Sequence, residues 1–346
     1  MKTFGRYLVY RLRNTALRTL IFTLLSVLLV QVVTADGIRG FYPEYHNVSL
    51  YMHAIVLGVL CTLIPILETA EFKNRRNLDT LYFFPIKREK MALVHYVSGL
   101  IQILFVYSVT FFTAWIYLEM QTNYFALGYM LPYYLLSLLL GLVMYSIFMF
   151  LFGQANTVSD GVLFCGLWVF VLYIVIWTVR AEILRDLLID TEYWVSSSNF
   201  AGWGMIYTPI NNLTVIFQDL IEINQRQLEY DYTHTTAMRY KRELAMFFVW
   251  GAIGIAAAIG YFVTFVKKGA EKAGEISNSW FGYKLLIPLY GYSLLLLYDS
   301  LDFMTVAICI LMVIGYVVYR RGFKFKLSDI IVSGIGIGMI LLGVLF

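Results

Sequence analysis

Charged side chains are scarce in this sequence. Asp, Glu, Lys and Arg make up 14% of its 346 residues, whereas apolar and aromatic residues make up 60%. Typical soluble domains hold about 25% charged and about 45–50% apolar residues. The composition therefore excludes a disordered chain, an ordinary cytosolic enzyme and a nucleic-acid-binding module. The net charge of +4 is small for this length and indicates no strongly acidic or basic partner.

Residues that carry chemistry are also few. The three cysteines, Cys61, Cys165 and Cys309, lie inside apolar runs, which is typical of packing residues rather than of a disulfide framework. The four histidines lack metal-ligand spacing, and the sequence has no Gly-x-x-x-x-Gly-Lys-Ser/Thr motif for binding ATP phosphates. We therefore predict no catalytic residue, no metal site and no directly bound cofactor.

Long apolar runs dominate what remains. A bilayer core of about 30 Å needs roughly 20 mostly apolar residues per spanning helix, so the runs predict an all-α polytopic membrane protein. None of them contains Asp, Glu, Lys or Arg, a pattern that disfavours ion relays and voltage sensors. We count nine: Leu20–Thr34, Leu50–Leu67, Ala92–Leu118, Tyr124–Phe152, Gly161–Thr178, Leu244–Val266, Leu285–Leu297, Met304–Tyr319 and Ile330–Phe346.

The charges between these runs predict an orientation in a cell (plasma) membrane. With the N-terminus in the cytoplasm, the inside segments carry 19 of the 26 Lys and Arg but only 8 of the 22 Asp and Glu. This is the expected positive-inside bias. Nine spans then place the C-terminus outside the cell.

The order of the segments predicts three parts. Residues 1–19 form a basic interfacial helix in which Phe4, Leu8 and Leu12 are expected to face lipid while Arg6 and Arg13 stay in water. Residues 20–266 hold six spans, with a cytosolic segment at 68–90 and an extracellular cap segment at 180–243. Residues 267–346 form an extension of three spans.

The cytosolic segment combines charge with a short apolar stripe at Leu78, Leu81 and Tyr82, and Pro85 ends the predicted helix. Such a segment is suited to press on a soluble partner, and a merely solvated loop is the plainer alternative. The positions Glu71, Arg75, Asp79, Leu81, Pro85, Ile86, Arg88 and Gly99 follow one another in an order that resembles the ABC-2 type permease family. After the sixth span, the stretch Glu-Lys-Ala-Gly-Glu at 271–275 resembles a longer Firmicute-like subgroup that carries extra C-terminal spans.

This resemblance implies the membrane permease subunit of an ATP-binding cassette exporter. Separate ABC ATPase subunits would bind ATP and Mg²⁺, and a second permease subunit, identical or paralogous, would complete the pathway. The coupling residues implied on the segment are Glu71, Arg75, Asp79, Leu81, Tyr82, Pro85 and Arg88. The neutral spans favour an amphipathic or hydrophobic cargo such as an antimicrobial peptide, a lipid or a drug.

Two other functions stay open at this point. The first is a membrane sensor or scaffold that binds peptide through the extracellular segment without transporting it. The second is a membrane-embedded enzyme that modifies lipids, for which Asp299 and Asp302 have the spacing that holds Mg²⁺ in some membrane transferases. A solvated turn is the simpler interpretation of that acidic pair.

Overall fold

The chain folds into helices. A computed structural model describes residues 2–39, 46–74, 86–122, 127–178, 230–268, 273–275, 277–297 and 303–320, with a few isolated positions from 322 to 334. No strand occurs among these described residues. The helices are α1 (Lys2–Arg39), α2 (His46–Thr69) with a 3-10 turn at Ala70–Lys73, α3 (Arg88–Thr122), α4 (Leu127–Gln154), α5 (Val158–Thr178), α6 (Tyr230–Lys267), α7 (Leu285–Leu297) after a π-helical turn at Trp280–Lys284, and α8 (Phe303–Arg320).

Five of these helices are long and apolar enough to cross a membrane. The qualifying stretches lie in α1, α2, α3, α4 and α6, and they are Phe4–Val33, Met52–Lys73, Arg88–Met120, Met130–Gln154 and Phe247–Lys267. They match the first four predicted spans and the sixth, as expected for an all-α polytopic membrane protein. Shorter apolar helices at Val158–Val169 and Val306–Arg320 fall in the fifth and eighth predicted spans.

The predicted number of nine spans stays a prediction. The seventh run, Leu285–Leu297, is helical over the predicted bounds, but it is only 13 residues long. The ninth run, Ile330–Phe346, lies almost wholly outside the described residues. The cap segment 180–243 is described only from Tyr230, where α6 begins as one unbroken helix.

The described helices form two compact units, and α1 to α4 with α6 make up the first. Within it, α1 packs on α2 and α3, and α6 packs on α3. Its core is rich in aromatic side chains, with Tyr107, Phe111, Tyr133 and Tyr145 fully buried. This burial explains why so many aromatic residues occur inside the runs.

The start of α1 has one partly covered apolar stripe and one exposed face. Phe4, Leu8 and Leu12 are half-buried, and the first two pack against a cluster of Tyr7, Met91 and Val94. Arg6 and Arg13 are exposed, together with Val9, Tyr10 and Leu17. Contact of Phe4, Leu8 and Leu12 with lipid stays a prediction.

Helix α1 also runs without interruption through residue 19, where the sequence placed the boundary between an interfacial helix and the first span. The helix of the fifth predicted span falls in the second unit, together with residues 275–346. The division of the chain into domains 1–19, 20–266 and 267–346 stays a prediction. Contact of the helices with membrane lipid also stays a prediction.

The second unit consists of α5, α7, α8 and the π-helical turn. Its core joins Phe164 and Val171 of α5 to Leu286 of α7. At Gly282 the turn approaches α5 so closely that a Cβ atom would overlap the ring of Phe164. A glycine is therefore needed at position 282 for the π-helical turn to pack this closely against α5.

Candidate functional site

A buried cluster of charged side chains lies where three helices of the first unit meet. Helix α1 contributes Arg11 and Arg18, and seven residues are close to two helical turns, so both point to the same side. The end of α2 contributes Glu68, and the 3-10 turn that follows contributes Glu71. Helix α3 adds His95 and Gln102, which are also seven residues apart. We call these six residues the charge network.

Glu68 is the centre of the charge network, and its side chain is fully shielded from solvent, with 0% exposure. One carboxylate oxygen, Oε1, accepts hydrogen bonds from Arg18 and from Gln102 Nε2, the latter at 2.8 Å. The other, Oε2, accepts one from Arg11 Nε at 3.2 Å. A buried carboxylate is tolerated only when its oxygens are paired in this way.

Arg11 joins the two glutamates. Its Nη1 atom donates to both carboxylate oxygens of Glu71, at 3.0 and 2.8 Å, while Nη2 donates to the main-chain oxygen of Glu68 at 3.3 Å. The planar guanidinium suits this arrangement because its donors point in fixed directions. One arginine of α1 thus holds both the end of α2 and the turn that leads into the cytosolic segment.

His95 closes the charge network from α3. Its Nδ1 atom lies 3.0 Å from the main-chain oxygen of Glu68, which can only accept, so Nδ1 carries the proton of this bond. In the neutral ring Nε2 then accepts the hydrogen bond from the Tyr7 hydroxyl, at 3.2 Å. The ring of Phe72 packs edge-on against the imidazole, with centroids 4.7 Å apart. His95 is therefore fixed in position and tautomer by three elements.

The four ionised groups balance each other, because two arginines face two glutamates. Removing one partner from a buried pair typically costs about 3–5 kcal/mol, since the other charge stays buried without compensation. The charge network therefore joins α1, α2 and α3 at this point.

Only two of the predicted coupling residues lie within the described part of the chain. Glu71 is held by Arg11, as given above, and its side chain is 39% exposed. Arg88 opens α3 and donates from Nη1 to the main-chain oxygen of Lys268, at the end of α6, at 3.4 Å. Arg75, Asp79, Leu81, Tyr82 and Pro85 lie outside the described residues. Both ends of the segment are thus attached to the helices of the first unit.

Sequence reasoning missed most of the charge network. The second apolar run ends at Leu67, one residue before Glu68, so the sequence pattern places the buried carboxylate in a loop. The signal that was available is the repeated spacing of seven, which places Arg11 with Arg18 and His95 with Gln102 on single helix faces.

The second unit holds a smaller polar cluster at the start of α5. Thr157 caps this helix by accepting from the Asp160 main-chain N–H at 3.1 Å. The Asp160 carboxylate accepts from Ser277 Oγ at 2.6 Å and from the Tyr283 hydroxyl at 2.9 Å. Burial raises the pKa of the Tyr283 hydroxyl above its ordinary value of 10.0, and the bond to Asp160 raises it further.

Beside this cluster lies a cavity of about 200 Å³ with an almost entirely apolar lining, to which α5, α7 and α8 contribute. Its few polar atoms are already engaged, since the Tyr290 hydroxyl donates to the Leu167 main-chain oxygen at 2.6 Å. Within the described ranges, no three His, Cys, Asp or Glu side chains come together as a metal site would need. Asp299 and Asp302 fall outside those ranges.

The fold and the charge network together define a class: a helical protein with several helices suited to cross a membrane and a buried ionic connection between the first three. No protein-family model matches this chain, and no curated protein matches its sequence. The function is therefore inferred from the residues themselves.

Proposed function

We propose that this chain is the membrane permease subunit of an ATP-binding cassette exporter, in which ABC ATPase subunits supply the energy. The observation that carries the proposal is the attachment of Glu71, the first predicted coupling residue, to buried Glu68 through Arg11. A force applied to the cytosolic segment 68–90 would reach α1 and α2 directly. The resemblance of that segment to the ABC-2 type permeases supports the same role.

Docking of an ATPase on this segment would use two kinds of contact. The stripe of Leu78, Leu81 and Tyr82 would provide apolar area, worth about 25 cal/mol for each Å² buried. Charged side chains of the segment would add rim ion pairs of about 0–1 kcal/mol each. The apolar stripe therefore dominates the affinity, whereas the charges set the orientation.

The proposed exporter needs a partner subunit because it needs a source of energy. The sequence contains no phosphate-binding Gly-Lys-Ser/Thr motif, so hydrolysis of ATP is assigned to a separate subunit. A second permease subunit, identical or paralogous, would complete the transport pathway. With the N-terminus in the cytoplasm, the segment faces the compartment where ATP is available.

The proposed cargo is amphipathic or hydrophobic, such as a peptide, a lipid or a drug. In the first unit most buried residues between the helices are aliphatic or aromatic, which suits such a molecule better than an ion or a sugar. ATP-dependent movement of a labelled hydrophobic peptide across proteoliposomes would support transport. Stimulation of the ATPase without net movement would instead favour a sensor.

The central experiment is co-purification from native membranes followed by identification of the bound subunits by mass spectrometry. Leu81→Asp is expected to remove the ATPase subunit, because a carboxylate would have to be buried in the docking stripe. Leu327→Asp is the matched control, since Leu327 is 75% exposed and lies on a predicted cytosolic segment. The proposal fails if the unaltered chain purifies without a nucleotide-hydrolysing subunit, or if Leu81→Asp keeps it at full stoichiometry.

A further inference from the structure

The four arginines in the first half of α1 fall into two sets. Arg11 and Arg18 point inward and are neutralised by Glu68 and Glu71. Arg6 and Arg13 point to the opposite side and are exposed. Over the part of the chain that the structure describes, no carboxylate forms an ion pair with either of them. The outer face of α1 therefore carries two positive charges that none of the described carboxylates compensates.

Large apolar side chains surround these two arginines. Val9 and Leu17 are 66% and 72% exposed, and Tyr10 lies between Arg6 and Arg13 on the same face with more than half of its surface accessible. Further along α1 the exposed side chains from Leu20 to Leu29 are all apolar, and the next polar residue on this face is the half-buried Gln31. The helix thus changes along its axis from a basic, amphipathic face to an apolar one that ends at Gln31.

The lengths of these two parts fit a lipid bilayer. At about 1.5 Å per residue, Arg6 and Arg13 are about 10 Å apart along the axis. From Arg13 to Val32 the apolar part extends about 28 Å, close to the bilayer hydrocarbon thickness of about 30 Å. When the apolar part lies in the hydrocarbon, Arg13 is at its edge and Arg6 lies about 10 Å farther out, so the two long side chains reach the headgroup layer from its two sides. Tyr10 then occupies the interface, where amphipathic aromatic rings are favoured.

We propose that Arg6 and Arg13, with Tyr10 between them, form a binding site for an anionic phospholipid headgroup on the outer face of α1. A guanidinium matches a phosphate oxygen pair geometrically, and two of them attract a lipid of net negative charge over a zwitterionic one. Leu17, one turn beyond Arg13, lies where the acyl chains of that lipid begin. The site does not depend on the proposed ATPase coupling, because it faces away from the charge network.

Native mass spectrometry of the full chain in detergent tests this site, with titration of phosphatidylglycerol or phosphatidylcholine to obtain the Kd of the first bound lipid. The unaltered chain is expected to bind phosphatidylglycerol more tightly. Each basic residue near an anionic headgroup contributes about fivefold in affinity, so Arg6→Gln with Arg13→Gln should weaken that binding by about 25-fold. Binding of phosphatidylcholine should change little.

Two further variants separate a built site from general surface charge. Lys267→Gln removes one exposed charge at the end of α6, and it is matched to Arg13→Gln alone. We expect a loss of about fivefold for Arg13→Gln and none for Lys267→Gln, whereas Arg6→Lys with Arg13→Lys should retain the preference. Equal losses for Arg13→Gln and Lys267→Gln would overturn the site.

The proposed lipid site would also be overturned if the unaltered chain showed no preference for phosphatidylglycerol over phosphatidylcholine. Persistence of that preference in the variant with both Arg6→Gln and Arg13→Gln would overturn it as well. Loss of a bound protein subunit from that variant with an unchanged lipid preference would assign the face to a protein partner and overturn the lipid site. Thermal unfolding of each variant checks that the fold is retained, which is expected because both arginines are exposed.

Discussion

Arg11 binds Glu68 twice, through the carboxylate at 3.2 Å and through the main-chain oxygen at 3.3 Å, although 57 residues separate them in sequence. The same guanidinium also binds Glu71, where the chain leaves α2 for the cytosolic segment. One side chain of α1 therefore fixes the point at which the second helix ends. This gives the proposed coupling segment a rigid base.

Glu68→Gln should lower the stability of the first unit by about 3–5 kcal/mol, because buried Arg11 and half-buried Arg18 would remain with only Glu71 to balance them. The measurement is thermal unfolding of the purified chain in detergent. Glu89→Gln, an exposed change of the same kind at the start of α3, should leave the midpoint nearly unchanged.

A second change tests whether charge is the cause. Arg18→Gln added to Glu68→Gln restores the balance of one arginine against one glutamate, so the double variant should be more stable than Glu68→Gln alone. If the double variant is less stable than the single one, charge balance does not explain the charge network.

Gly99→Ala should destabilise α3 against α4 by about 1–3 kcal/mol, the usual cost of overpacking. A Cβ at this position would overlap the hydroxyl oxygen of Tyr145 and lie 2.9 Å from the ζ carbon of its ring. The comparison is Gly166→Ala, where no atom lies within 4 Å of the added carbon, and there we expect little change or a gain from helix propensity.

Tyr145→Phe should recover part of the loss caused by Gly99→Ala, because it removes the oxygen that the methyl group meets. The readout is again the unfolding midpoint, compared in a double-mutant cycle. Additive losses in the double variant would contradict the steric explanation.

Tyr283→Phe should lower the unfolding midpoint at pH 8, since the hydroxyl donates to the charged Asp160, and such bonds contribute about 1.5–3 kcal/mol. The raised pKa of Tyr283 means that the folded state holds this proton more tightly than the unfolded state does. Its contribution is therefore complete below pH 10 and decreases as the pH rises further.

The difference between the unaltered chain and Tyr283→Phe should accordingly shrink between pH 10 and pH 11. Comparing the two chains at each pH cancels the effect of the other tyrosines. A difference that stays constant from pH 8 to pH 11 would show that the hydroxyl does not titrate as its surroundings require.

Helix positions followed from the sequence more readily than helix faces did. The run Leu285–Leu297 is helical over the same residues, because the polar segments on both sides of an apolar stretch fix where the helix begins and ends. The half-buried packing of Phe4 and Leu8 does not follow from the sequence in this way, since it depends on Met91 and Val94 of another helix. The charge network was hidden for a related reason: Glu68 looks like a loop residue until Arg11, Arg18 and Gln102 are placed around it.

The glycine at position 99 illustrates the opposite case. It was noted as part of a resemblance, and the structure supplies a separate physical reason for it, namely the close approach of Tyr145. The residues between 75 and 85 supplied the functional expectation from their pattern alone. Their pattern is informative because charges and apolar spacing can be recognised in the sequence itself. The identity of the partner cannot be recognised in this way, since the partner is a different chain.

Helix α1 continues unbroken for 38 residues, so it is a rod about 57 Å long that is pinned near one end by Arg11. A tilt of about 5° around that pivot would displace the residues near Arg39 by about 4 Å, since about 42 Å of helix lies beyond Arg11. Rearranging the ion pairs of the charge network would then widen or narrow the opposite rim of the bundle, with no bend in the helix itself.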